Sequence, residues 1–191
     1  MADPTTDRNA SVPAIQVGSH LRVGHYNDLV LALRYLYVLA LTIWLGGMLV
    51  LGAIVAPTTF RVLQASAPES GRFLAGELFG TMLGQFHYVA YGAGALMLIT
   101  LAAMALLGPR PRGFAVRAGL VAAMLLVALY SGVSVLGEID AIQQEVGGVP
   151  SRLAASDPRR IRFDELHEFA TQLMMLNVVG ALALVFWETR E

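Results

Sequence analysis

The chain has 191 residues, of which 56% are hydrophobic and only 14% charged, with a net charge of −1. Soluble domains carry roughly a quarter charged residues. Here residues 35–60, 78–109, 118–137 and 169–187 contain no Asp, Glu, Lys or Arg at all, so every charge sits outside these 97 positions. A helix needs roughly 20 apolar residues to cross a hydrocarbon core about 30 Å thick, so four such runs exclude an ordinary soluble domain. The absence of cysteine excludes disulfides, thiolate metal sites, iron–sulfur clusters and Cys nucleophiles. All 13 basic residues are arginine, which removes Schiff-base chemistry and the lysine of a phosphate-binding loop. The near-neutral charge offers nucleic acid no counter-charge.

In chain order, residues 1–28 are polar, with Asp3, Pro4, Asp7, Arg8 and Pro13, and read as a mobile tail ahead of a transmembrane domain over 29–191. The apolar run that follows is too long for the core of a secretory signal, so the first helix, 29–56, is expected to stay in the mature protein. Pro57 is expected to end it, because proline cannot continue the hydrogen-bond ladder. Residues 58–77 mix Phe60, Leu63, Phe73 and Leu74 with Arg61, Glu69 and Arg72, a composition suited to the headgroup layer.

The second helix is expected over 80–107, followed by a turn at Gly108-Pro109-Arg110-Pro111-Arg112-Gly113, which stacks helix breakers. The third spans 114–145 and stops before Gly147-Gly148-Val149-Pro150. Asp157 followed by Pro158 supplies an N-cap and first-turn residue for the fourth, 158–187. The predicted fold is all-α: an integral membrane four-helix bundle of up-down topology, with helices 3 and 4 projecting beyond the membrane as a hairpin. Arg160 and Asp164, four apart, would support the projecting end. Small residues four apart (Gly52/Ala56, Gly80/Gly84, Gly119/Ala123, Ala128/Gly132) favour close helix contacts, within the chain or with another copy.

Arginine placement sets the expected orientation. With both termini cytoplasmic, seven arginines stand inside and six outside. The deciding feature is the short 2–3 turn, where Arg110, Arg112 and Arg117 have no acidic neighbour, since short loops carry most of the positive-inside signal. The expected location is the bacterial inner membrane, with N- and C-termini cytoplasmic.

Polar groups inside a membrane are costly and raise a functional hypothesis by default. His87 stands beside Gln85 in the second run, and His167 just before the fourth, within Asp164-Glu165-Leu166-His167-Glu168. Both fall near the outer face, at the level of Glu77, Glu138 and Asp140, and on diagonal helices they could meet across the core. Imidazole suits copper, zinc and haem iron, and carboxylates would complete a harder site. His87 and His167 are thus the candidate metal ligands, with Glu138, Asp140 and Glu165 as weaker ones. Interfacial histidines that bond only to water, headgroups or backbone are the commoner outcome. His167-Glu168 begins a zinc-protease motif, but Thr171 occupies the place of its second histidine.

Met82, Met174 and Met175 could ligate cuprous copper, although methionine at helical spacing more often fills a core. Tyr88, Tyr91 and Trp187 read as interfacial anchors, and Asn177 as a helix–helix bond. Arg159, Arg160 and Arg162 could clamp an anionic headgroup or haem propionates; a solvated helix end paired with acids is commoner.

Trp44-Leu45-Gly46-Gly47-Met48 and then Ala56-Pro57-Thr58-Thr59-Phe60 resemble the opening signature of the transmembrane protein 205-like family, whose bacterial members are small four-helix membrane proteins of unknown function. Phe163-x-x-Leu166-His167-x-Phe169 is similar to that family's entry into its last helix. The Trp-x-Gly-Gly element also resembles part of the copper-resistance D domain. These likenesses imply architecture, with metal or drug tolerance as the associated process. The first helix is loosely similar to that of the four-helix haem-binding protoporphyrinogen oxidases, but it lacks their histidine and the chain lacks their lysine.

Three functions are compatible with these features. One is a non-enzymatic bundle that handles a metal such as copper through the outer-face histidines. Another is a haem-binding membrane redox protein. The third is a structural or interaction protein without cofactor, whose partner is a second copy or another membrane protein.

Overall fold

In the computed structural model, which describes residues 16–107 and 113–190 and their side chains from residue 28 onward, four long rods carry the charge-free runs. The first consists of α1 (Gln16–Val50), a π turn at Leu51–Val55 and α2 (Ala56–Ser66). The second is α3 (Gly71–Leu107). The third is α4 (Phe114–Tyr130), a second π turn at Ser131–Val135 and α5 (Leu136–Val146); a 3-10 turn at Pro150–Arg152 leads to the fourth, α6 (Pro158–Glu188). All four are long and apolar enough to cross a membrane: Asp28–Ser66, Gly71–Leu107, Phe114–Val146 and Pro158–Glu188. The described residues contain no strand. Even the shortest rod, 31 residues, is about 46 Å long against a hydrocarbon core of about 30 Å. All four rods therefore project beyond the hydrocarbon, the third and fourth among them.

The helix bounds differ from expectation in three places. Helix α1 begins at Gln16, inside the segment expected to be a tail, while residues 1–15 and the turn at 108–112 lie outside the described residues. The first rod does not stop at Pro57. A proline ring clashes with the carbonyl four residues back and offers no N–H to it; the preceding turn widens to i→i+5 bonding, with the Ala56 N–H on the Leu51 carbonyl, and the helix runs on to Ser66. The connection expected at 58–77 shrinks to residues 67–70, because α3 already begins at Gly71. At the other junctions the local chemistry acts as expected. Gly147, in the left-handed region at φ +62°, follows the end of α5, and Asp157 accepts the Arg159 N–H at 2.9 Å to open α6.

The rods form a ring in which α1 packs on α3 and α6, and α4 packs on the same two helices. The main core lies between them at the end near the termini: Tyr37, Leu41, Trp44 and Met48 from α1, Met97 and Leu101 from α3, Val121 and Met124 from α4, and Ala181 and Leu184 from α6. Close backbone approach is concentrated where a side chain would collide, at Gly47 against Phe86, Gly94 against Trp44 and Leu125, and Gly180 against Met124. Of the small pairs seen in the sequence, Gly52 and Gly132 face neighbouring helices, whereas Gly80, Gly84 and Gly119 have open space where a side chain would stand. Beyond the π turns, α2 packs on the start of α3, and α5 on the start of α6. A second, smaller cluster of Val135, Ile142 and Leu166 holds the latter pair together.

Candidate functional site

The two histidines occupy different settings. His87 is half-buried on α3, its Nδ1 2.8 Å from the Leu83 carbonyl of its own helix. Its ring and the Tyr91 hydroxyl lie over Gly132, inside the second π turn, where any side chain would displace them. The Tyr91 hydroxyl donates to the Ala128 carbonyl at 3.4 Å. His167 is exposed and stacks on Phe163, one turn earlier in α6, with ring centroids 6.1 Å apart. Among the described residues, no group of three or more His, Asp or Glu is gathered that could hold a metal ion. Of the methionines, Met174 packs against the core and Met175 is exposed. Asn177 is buried, Tyr88 projects outward at 76% exposure, and Trp187 lies against Gly113.

Two of the weaker candidates do come together, around an arginine. Arg162 donates from Nε to Glu138 Oε1 at 2.7 Å and from Nη2 to Glu138 Oε2 at 3.0 Å, a two-pronged bond from α6 to α5. Its Nη1 faces Glu165 Oε2 at 3.7 Å, too long for a hydrogen bond. Asp140 stands apart from this cluster, exposed on α5. The cluster heads a groove of about 240 Å³ between the third and fourth rods, lined by Tyr130, Ser134, Glu138, Arg162, Glu165 and Phe169 over a floor of Val135 and Leu166. Tyr130 and Phe169 meet edge to face at its far end, with centroids 6.2 Å apart and planes at 79°. The groove runs from charge to aromatic surface because Glu138 lies one residue past the charge-free run 118–137, with Tyr130 eight residues further in, about 12 Å along the helix.

A family model with the description "domain of unknown function (DUF4149)" matches residues 39–146, more than half of the chain. The chain belongs to this family. No match was found among curated proteins or among solved structures, and the comparisons give no support to the transmembrane protein 205-like or copper-resistance D likeness. The DUF4149 match ends at the last residue of α5. It therefore takes in His87 and Glu138, while Arg162, Glu165 and His167 on α6 lie outside it. One wall of the groove comes from the DUF4149 segment and the other from α6.

Sequence reasoning missed a second polar centre of this DUF4149 protein, at the end near the termini. Arg117 opens α4 with only 2% of its side chain exposed and forms an ion pair with Glu188 at the end of α6. Arg34 of α1 reaches the same carboxylate at 3.2 Å and the Glu188 carbonyl at 3.4 Å. The Arg117 guanidinium lies 5.1 Å from the ring centroid of the fully buried Tyr37. In the sequence, Arg117 stands out only as a positive-inside loop residue. The available signal is its position: Arg34, Arg117 and Glu188 each flank a charge-free run at the same end of the bundle.

The hairpin of α5 and α6 is held by polar bonds. Arg159 grips Asp157 through Nε at 3.1 Å and Nη2 at 2.9 Å, and reaches Glu145 at 3.8 Å. Those bonds hold the Asp157 carboxyl below the usual carboxylate range, the Arg159 side chain contributing most and its backbone N–H next. Arg160 donates to the Leu153 carbonyl at 2.9 Å and lies 3.7 Å from Asp164.

Proposed function

We propose that this DUF4149 protein is a non-enzymatic membrane protein that acts by binding a protein partner through the projecting α5–α6 hairpin. The observation that carries the reading is the ordering of that hairpin. Its connecting segment is tied by Arg159 to Asp157 and by Arg160 to the Leu153 carbonyl, and Arg162 joins α6 to Glu138 of α5, with few buried side chains to enforce the shape. A surface ordered before it meets a partner loses less conformational freedom on binding. The metal and haem readings rank below this one, because each needs companions for His87 and His167. Elemental mass spectrometry that finds near-stoichiometric copper or iron on the purified protein would restore them.

The test is to replace residues 141–157 by a short Gly-Ser bridge. Helicity and membrane insertion are expected to persist while cross-linking to the partner, a second copy or another membrane protein, disappears. An unchanged set of cross-linked partners would overturn the proposal.

In the same reading the protein lies in a bacterial inner membrane with both termini cytoplasmic, supported by Arg110 and Arg112 in the 2–3 turn. The chain has no cysteine, so single cysteines report topology without background. Ser156→Cys is expected to react with an impermeant thiol reagent from the periplasmic side. Ala10→Cys is expected to react only after the membrane is opened, and the reverse pattern would invert the orientation.

A further inference from the structure

We infer that the groove between the third and fourth rods binds one zwitterionic phospholipid whose headgroup carries a primary amine. This goes beyond the proposed function and stands on the groove alone. Its charged end holds one cation, Arg162, and two carboxylates, Glu138 and Glu165. That cluster has a net charge of −1, so an anionic headgroup would meet more repulsion than attraction, whereas a headgroup bringing its own cation completes the balance. The arginine is also asymmetrically used. Nε and Nη2 are committed to Glu138, while Nη1 stands 3.7 Å from Glu165 and keeps its N–H donors for a phosphate oxygen. The Glu165 carboxylate beside it is placed to accept from an ammonium two carbons away from that phosphate.

The rest of the groove fits the rest of such a lipid. From Arg162 the fourth rod enters its charge-free run at Phe169, seven residues on and about 10 Å deeper. On the facing rod the groove passes Ser134, the small residue of its wall, and closes on the Tyr130–Phe169 ring pair. Polar headgroup contacts therefore lie at the membrane surface, with an apolar channel directly beneath. A volume of about 240 Å³ lies below the roughly 300–1,000 Å³ of pockets that enclose small molecules. It accommodates a headgroup and glycerol region while the acyl chains continue into the bilayer.

The experiment uses the full chain in nanodiscs of equimolar phosphatidylethanolamine and phosphatidylglycerol. After extraction into mild detergent, bound lipid is counted by native mass spectrometry and helicity is checked by circular dichroism. One retained phosphatidylethanolamine per chain is expected. Arg162→Gln should lower its retention about tenfold, the scale of one charge-assisted bond. Glu165→Gln leaves the Arg162–Glu138 bond in place and should erase about tenfold of the preference over phosphatidylglycerol. Ser134→Phe fills the groove without touching a charge and should displace the lipid outright. If Arg162→Gln fails to fold, the other two variants decide. Equal retention of the two lipids by the wild type, or retention unaltered in both Glu165→Gln and Ser134→Phe, would overturn the inference. The hairpin test removes residues 141–157, none of which lines the groove, and the lipid variants leave that segment intact, so either proposal can fail alone.

Discussion

Glu188→Gln separates a structural charge from an ornamental one. The substitution keeps the shape of the side chain and removes its charge from beside Arg117, whose side chain is 2% exposed, with Glu188 itself at 10%. Removing one partner of a buried ion pair costs about 3–5 kcal/mol, because the remaining charge stays desolvated. Two features of this site act in opposite directions. The amide oxygen still accepts a hydrogen bond, which lowers the cost, whereas Arg34 and Arg117 both approach the position of the lost carboxylate and now repel each other. Arg34 is 39% exposed and can turn to water, so the lower end of the range applies. The expected loss is about 3 kcal/mol, roughly a hundredfold in the folding equilibrium.

The assay is equilibrium unfolding in mixed micelles titrated with sodium dodecyl sulfate, followed by tryptophan fluorescence. Both tryptophans report, since Trp44 is buried in the main core and Trp187 packs on Gly113. The double variant Arg117→Met, Glu188→Met removes both charges and should return to near wild-type stability or exceed it, as buried pairs replaced by apolar side chains of similar volume often do. A loss below about 1 kcal/mol in Glu188→Gln, or a double variant as unstable as the single, would refute the view that desolvation dominates here.

Gly113→Ala should destabilise by about 2 kcal/mol, since the residue sits at φ +66° and its new methyl group would overlap the Trp187 ring. Gly119→Ala is the control, with open space within the α4 helix and an expected gain of up to about 1 kcal/mol in the same titration. For Asp157 the sign follows from its depressed pKa. Its contribution to the first turn of α6 is fully present above the unfolded value and is lost as pH falls through the lower folded value. An NMR titration of the Arg159 amide should therefore show a midpoint below that of an ordinary aspartate; a midpoint at or above it would remove the cap.

The number of spans and the place of each apolar run were legible because a membrane punishes charge. The four runs without Asp, Glu, Lys or Arg all lie inside the four rods, apart from positions in the 2–3 turn that lie outside the described residues. Local stops and starts were equally readable where backbone chemistry is unambiguous, as at Gly147 and Asp157-Pro158. Pro57 misled for a physical reason. Proline forbids one hydrogen bond and one carbonyl position, and both demands can be met by widening the turn before it rather than by ending the helix. An alternation of apolar and small residues carries no mark of which solution the chain takes.

The polar sites were less legible because their meaning depends on register between rods. Arg162 and Glu165 lie three apart, so their proximity follows from helical spacing alone. Arg162 and Glu138 are 24 positions apart, and their two-pronged bond requires α5 to be turned correctly after Ser131–Val135. A π turn takes up an extra residue and rotates the downstream helix by about 100° relative to an uninterrupted α-helix. Nothing in Ser131-Gly132-Val133-Ser134-Val135 announces it as Pro57 could have announced the first. The same turn sets the surroundings of His87. Its ring seats on Gly132, a position that in the sequence resembles half of a small-residue helix contact, and the space the glycine vacates is filled by His87 and Tyr91. An intramembrane histidine suggests a ligand; its observed setting is a half-buried ring bonded to its own helix and fitted to the irregular turn of the next.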